Sequence, residues 1–213
     1  MDKYNKDDAY KLLTSDGHRN YYNEWAKTYD KDFVEKTNYI YPCEISKEII
    51  KRAKGKQLTV ADIGCGTGLI GVHLHPTGWD IDGFDISQGM LKEAELKNVY
   101  KNLICLDLRK EENFPDRRYS ALISSGTFTH GHLGPDILTK TLKLCQKDAI
   151  CVIGVNAEHY VLQGFSSTLS ALESQRIITD FETCSIPIYS ENNVPDRERN
   201  LADLCIFRYI GID

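Results

Sequence analysis

Few stretches leave a chain as little freedom as VADIGCGTGLIG, Val60 to Gly71. An apolar run ends on an acid, three glycines (Gly64, Gly66 and Gly68) fall within five residues, and an apolar helix start follows. Glycine at alternate positions strips Cβ atoms from one side of a tight turn, so the backbone bends sharply and a ligand can lie directly against it. The stretch therefore predicts strand, loop and helix in that order, with a small-molecule site where the strand ends. Asp62, two residues before the first glycine, opens onto that loop.

The rest of the chain repeats this alternation. Leu58 to Ile63, Trp79 to Asp85, Leu103 to Leu106, Tyr119 to Ser125 and Asp148 to Val155 read as strands, the last almost wholly apolar, as suits a strand covered on both faces. Between them, Leu69 to Leu74 forms a short helix ended by Pro76 and Gly78, Ser87 caps a helix carrying Met90, Leu91 and Ala94, and Pro135 opens another. Five such units predict an α/β fold with a parallel sheet between helical layers. The pattern then changes: Phe165, Leu169 and Leu172 mark a helix, and Arg176 to Tyr189 and Leu201 to Ile210 read as an antiparallel pair joined by SENNVPDRERN.

Ahead of the first strand, Asn20 to Lys36 places Tyr22, Trp25, Tyr29 and Phe33 on one helix face, serving either core packing or a lid over the site. Pro42 and the apolar run Ile45, Ile49, Ile50 and Ala53 predict a further helix up to Gly55. At 213 residues one domain is expected, with residues 1–40 as arm and lid helix and 41–213 as its body.

Composition narrows the partners. A chain 41% hydrophobic and 27% charged belongs among folded globular proteins. With a net charge of −5 and scattered Lys and Arg, no basic face for nucleic acid is expected, which leaves a small-molecule substrate. No apolar run approaches a membrane span, and MDKYNKDDAY has no apolar signal core. The seven cysteines form no CxxC pair and read as reduced thiols of a cytoplasmic protein, monomer or homodimer. No metal is expected: His73 and His75 are two apart on a helix and point in different directions.

The charge around the glycine loop bears on its ligand. Gly66 to Gly71 satisfies the dinucleotide pattern GxGxxG, and Asp85 lies 19 residues past Gly66, so a nicotinamide oxidoreductase stays open by pattern alone. Against it, Asp62 would repel a pyrophosphate, and no Lys or Arg lies between Val60 and Gly83 to compensate. A ligand with a cationic head and a carboxylate fits better, and S-adenosylmethionine (SAM) has that makeup. Asp85 would then accept both ribose hydroxyls, and Asp107 the adenine amine, with the Leu108 amide donating to the ring.

DIGCGTG, with acids at Asp85 and Asp107, resembles the class I SAM-dependent methyltransferases. Through YNEWAKTYDKDF, DIDGFDISQGMLKEA and SSGTFTHGHLGPDIL the chain is most similar to the small methyltransferase-like group typified by the Williams–Beuren-region protein. The resemblance implies a Rossmann-like three-layer sandwich whose seven-stranded, mostly parallel sheet has an antiparallel last strand. It implies cofactor contacts at Asp62, Gly64, Gly66, Gly68, Asp85, Ile86, Met90, Asp107, Leu108 and Ser125, with Trp25 and Tyr29 closing over the methionine end. Ile86 and Met90 could equally be plain core, Asp85 a helix cap and Ser125 a strand end.

Methyl transfer is an in-line displacement, so positioning supplies much of the catalysis and a base matters chiefly for a hydroxyl acceptor. His130 and His132, in the loop after the fourth strand, are the first base candidates, followed by His159 after the fifth; Tyr160, Tyr21, Tyr22 and His130 are candidates to touch substrate. The expectation is methylation of N, O or S on a small molecule. The alternatives are a SAM-binding protein or a SAM enzyme of other outcome.

Overall fold

The computed structural model describes residues 4–12, 14–190 and 200–211. Of the SENNVPDRERN loop that joins the last two strands, residues 191–199 lie outside the described residues. The helices are α1 (Lys6–Ala9), α2 (Ser15–Tyr29), α3 (Tyr41–Ala53), α4 (Leu69–Leu74), α5 (Gln88–Leu96), α6 (Pro135–Thr141), α7 (Ala157–Leu162) and α8 (Phe165–Ser174). The strands are β1 (Thr59–Ile63), β2 (Asp80–Asp85), β3 (Asn102–Cys105), β4 (Tyr119–Phe128), β5 (Cys145–Asn156), β6 (Ile178–Pro187) and β7 (Leu201–Tyr209).

All seven strands form one sheet in the order β3-β2-β1-β4-β5-β7-β6. The pairs from β3 to β5 are parallel, and β7 runs antiparallel to both β5 and β6, as the sequence implies. Alternating residues of the central strands feed two cores. Val60, Ile81, Ile123 and Val152 pack under Ile45 and Ile49 of α3 and Ile70 and Leu74 of α4. Ala61, Ile63, Leu122 and Ile153 pack under Leu138 of α6 and Phe165 and Leu169 of α8. Strand order reverses between β1 and β4, and a crevice opens beyond their C-terminal ends, where open α/β sheets bind ligands.

Three local readings need correction. β4 does not stop at Ser125 but continues through Gly126 and Thr127 to Phe128, which pairs with Val155 across a register shift. Gly126 takes φ +77°, and the irregularity re-aims the following loop. A short helix, α7, follows β5, capped by the Asn156 side chain, which accepts from the His159 amide; it is too short to show a periodic face. The aromatic helix starts earlier than expected, at Ser15 with Thr14 as its cap, and continues past Tyr29 as a π-helical turn, Asp30–Glu35.

That N-terminal helix is fastened at two points. Asn23 Oδ1 accepts from Ser87 Oγ and from the Gly89 amide, both at 2.8 Å, where α5 begins. Asp30 accepts from Thr67 Oγ1 at 2.6 Å and from Lys97 Nζ at 2.8 Å, and Lys97 also donates to the Thr67 carbonyl at 2.7 Å. The cation missing near the glycine loop in sequence thus arrives from the end of α5, already paired. Gly89 permits the helix contact, because a Cβ there would lie 2.7 Å from the Asn23 carbonyl oxygen. Gly89→Ala is expected to lower stability by about 1–3 kcal/mol, read from chemical denaturation; an unchanged midpoint would mean that α2 moves off α5 freely.

Candidate functional site

The glycine loop forms the floor of the crevice. Gly64 has φ +69°, and a Cβ on it would fall 1.9 Å from Thr127 Oγ1, so the extended β4 presses directly on the loop. Gly66, at φ +54°, has nothing within 4 Å of its missing Cβ and presents bare backbone to the cavity. Gly68 does a different job: its Cβ would meet Tyr100 at 2.9 Å and Ala94 at 3.1 Å, so it packs α4 against α5 and does not line the cavity.

Three acids stand at three successive strand ends and line the same cavity. Asp62 is 1% exposed. Its Oδ2 accepts from the Tyr100 hydroxyl at 2.6 Å, and that hydroxyl oxygen accepts from the Gly71 amide at 3.0 Å. Oδ1 is buried with no partner. Burial pushes the Asp62 pKa up to about 7, against the lowering effect of the Tyr100 hydrogen bond. Asp85 accepts from the Gly66 amide at 2.9 Å and the Ser87 amide at 2.8 Å, and burial raises its pKa to about 6 despite both bonds. Asp85 keeps part of its surface open to the cavity, whereas Asp62 does not. Two of its roughly four acceptor sites remain free for a ligand. Asp107 accepts from the Arg109 amide at 3.1 Å. Ile86, Met90 and Leu108 supply apolar lining of the same cavity, and Ser125 lines it from β4.

The roof is aromatic. Trp25, 2% exposed, meets Tyr29 edge-on at 4.8 Å and lies parallel to Tyr22 at 6.0 Å, and all three line the cavity. The Trp25 indole N–H is buried without a partner. His132 also lines the cavity. Its Nδ1 is 2.8 Å from the His130 carbonyl, which can only accept, so Nδ1 carries the proton and the Nε2 lone pair receives the Tyr22 hydroxyl at 3.0 Å. Burial, with His18 and Arg109 adding to it, lowers the His132 pKa to about 3, so the ring is neutral.

Besides Gly68, four sequence candidates fall outside the cavity lining. His130 turns to Glu158, 3.3 Å away, because the longer β4 carries the loop toward α7. His159 donates to the Leu133 carbonyl at 2.9 Å. The Tyr21 hydroxyl is taken up by the backbone of Asn5, and Tyr160 stacks on Phe165 in the core. Conversely, Lys6, Tyr10, His18, Tyr39, Arg109 and Tyr189 line the cavity without having been singled out. Tyr39 and Tyr189 are brought together by a bridge between distant segments, which no local pattern announces.

Among the described residues no group of His, Cys, Asp or Glu is placed to hold a metal, and no helix is long and apolar enough to cross a membrane.

Residues 60–148 match the family model described as a methyltransferase domain. No match is found among curated proteins. Among solved structures, the chain resembles the SAM-bound magnesium protoporphyrin IX methyltransferase of Synechocystis, with a TM-score of 0.67 at 15% identity over 92% of this chain and 96% of that one. It likewise resembles a SAM-dependent methyltransferase of Clostridium acetobutylicum, with a TM-score of 0.61 at 16% identity over 89% and 99% of the two chains. The chain thus matches a methyltransferase-domain model over residues 60–148 and has the fold of the class I SAM-dependent methyltransferases.

Proposed function

We propose that this protein binds SAM and transfers its methyl group to N, O or S of a small molecule. The observation that carries the reading is the unpartnered Asp62 Oδ1 in the cavity that the bare Gly66 backbone lines, with Asp85 and Asp107 on the same lining. A buried carboxylate oxygen lacking a donor suits an ammonium, and a Cβ-free cradle suits a ligand pressed against backbone. Bound there, SAM supplies an electrophilic methyl on a sulfonium.

In this reading Asp62 holds the ammonium, Asp85 the ribose hydroxyls, and Asp107 and the Leu108 amide the adenine edge, between Ile86 and Met90. Ser125 lies on the methionine side, and Trp25 and Tyr29, on α2 as a lid, exclude water. Calorimetric titration with SAM, S-adenosylhomocysteine (SAH) and NAD tests it. Binding of the first two alone is expected; micromolar NAD binding without SAM binding would favour the oxidoreductase.

Tyr22 and His132 are the groups we assign to the acceptor. With its proton committed to His132 Nε2, the Tyr22 oxygen has only lone pairs to offer, so it orients an acceptor N–H or O–H. Tyr22→Phe is expected to lower turnover by about tenfold to a hundredfold with SAM affinity unchanged, measured as SAH release with an acceptor found by screening small thiols, amines, carboxylates and phenols. His130→Ala is expected to stay near wild type in the same assay. A loss with His130→Ala as large as that with Tyr22→Phe would reverse the assignment.

A further inference from the structure

The cavity is divided by charge. Its acids, Asp62, Asp85 and Asp107, all stand at the ends of β1 to β3 or just beyond, where the cofactor is assigned. Across from them the wall is aromatic: Phe33 meets Tyr39 at 5.0 Å and Tyr189 at 6.1 Å, and Tyr39 meets Tyr189 at 5.8 Å. The charged side chain that lines the cavity there is a cation, Lys6; Asp7 beside it acts on Tyr189 from outside the lining. The Lys6 Nζ sits 5.0 Å from the centre of the Tyr189 ring and 3.4 Å from the Tyr189 hydroxyl.

Lys6 is half-buried, and among the described residues no carboxylate pairs with it. Its neighbour Asp8 is engaged by Lys11 at 2.9 Å and by the Asn5 cap. Arg109, the other cation on the lining, is occupied: it donates to Ser15 Oγ at 3.1 Å and to the His132 carbonyl at 3.2 Å, and Asp107 lies 4.0 Å away. A half-buried ammonium with one phenol as its hydrogen-bond partner keeps donors to spare, and a ligand anion completes it. A cationic acceptor would be repelled there. A phosphate dianion would need more donors than one lysine and one phenol supply.

Building on the methyltransferase reading, we propose that the methyl acceptor is a small carboxylic acid with a planar apolar body. Lys6 receives its carboxylate, and Phe33, Tyr39 and Tyr189 hold its ring by edge and face contacts.

The test uses the full chain saturated with SAH. Para-hydroxybenzoate and para-coumarate are titrated against para-hydroxybenzamide and tyramine, with wild type, Lys6→Gln and Lys6→Arg. The acids are expected to bind at least about tenfold tighter than the amide, and tyramine not at all. Lys6→Gln is expected to remove that preference while leaving the amide unchanged, and Lys6→Arg to keep it. Tighter binding of tyramine or the amide, no acid binding up to millimolar concentration, or an unchanged preference in Lys6→Gln overturns the proposal while leaving the methyltransferase reading in place. Failure of SAH itself to bind removes that reading, and this inference with it.

Discussion

Replacing Asp85 by alanine is expected to weaken SAM binding by about tenfold to a hundredfold, or ~1.5–3 kcal/mol, in calorimetric titration. The carboxylate has two separable tasks. Through the Gly66 and Ser87 amides it fixes the loop and the start of α5. With its remaining lone pairs it is assigned the ribose hydroxyls, charge-assisted bonds made away from bulk water. Alanine removes both, so the affinity loss alone does not divide them. A deoxyribose analogue of SAH does. If Asp85 holds the ribose, wild type discriminates between SAH and the analogue and Asp85→Ala does not, because the second deletion removes a bond already lost. If the residue only anchors the loop, both proteins discriminate equally. Unchanged SAM affinity in the variant would dismiss both tasks.

The sequence carried most of the fold because the fold depends on local signals. Gly64, Gly66 and Gly68 announce the first turn, and Asp62, Asp85 and Asp107 mark where the first three strands end. The strongly apolar β5 is legible as a strand covered on both faces. The last two strands declared themselves by length and by the short connection between them. What escaped was decided by contacts between distant segments. The extension of β4 through Phe128 depends on pairing with Val155 and on Thr127 bonding the Ile63 carbonyl, neither of which its own residues specify. That extension alters the site reading as well, turning His130 toward Glu158 and leaving His132 against Tyr22. Gly68 shows a subtler limit, because the pattern marks it as loop glycine without telling a ligand-facing position from a helix-packing one. Lys6 and Tyr189, 183 residues apart, meet only because the N-terminal segment folds back over the sheet edge.

The free protein is expected to lose stability as pH rises from about 5 to 8, and SAM or SAH to restore it. The folded pKa of Asp62, about 7, and of Asp85, about 6, both lie above the ordinary aspartate value near 3.9. A raised acid stabilises the fold fully below its unfolded pKa, where both states are protonated, and that advantage disappears as pH passes the folded value. For Asp62 the difference corresponds to on the order of 4 kcal/mol, with less for the partly open Asp85. A ligand ammonium at the unpartnered Oδ1 reverses the penalty by pairing with the ionised form. Binding therefore releases protons, and affinity climbs between about pH 6 and 7.5 before levelling. Melting scans across this range, with and without SAH, read both effects. Asp62→Asn separates the cause: lacking the charge, it is expected to flatten the pH dependence and to stabilise the free protein at pH 8 while binding SAM more weakly. A wild-type midpoint that rises with pH through this window would place the ionised carboxylates among satisfied partners, and the argument for an ammonium at Asp62 would go with it.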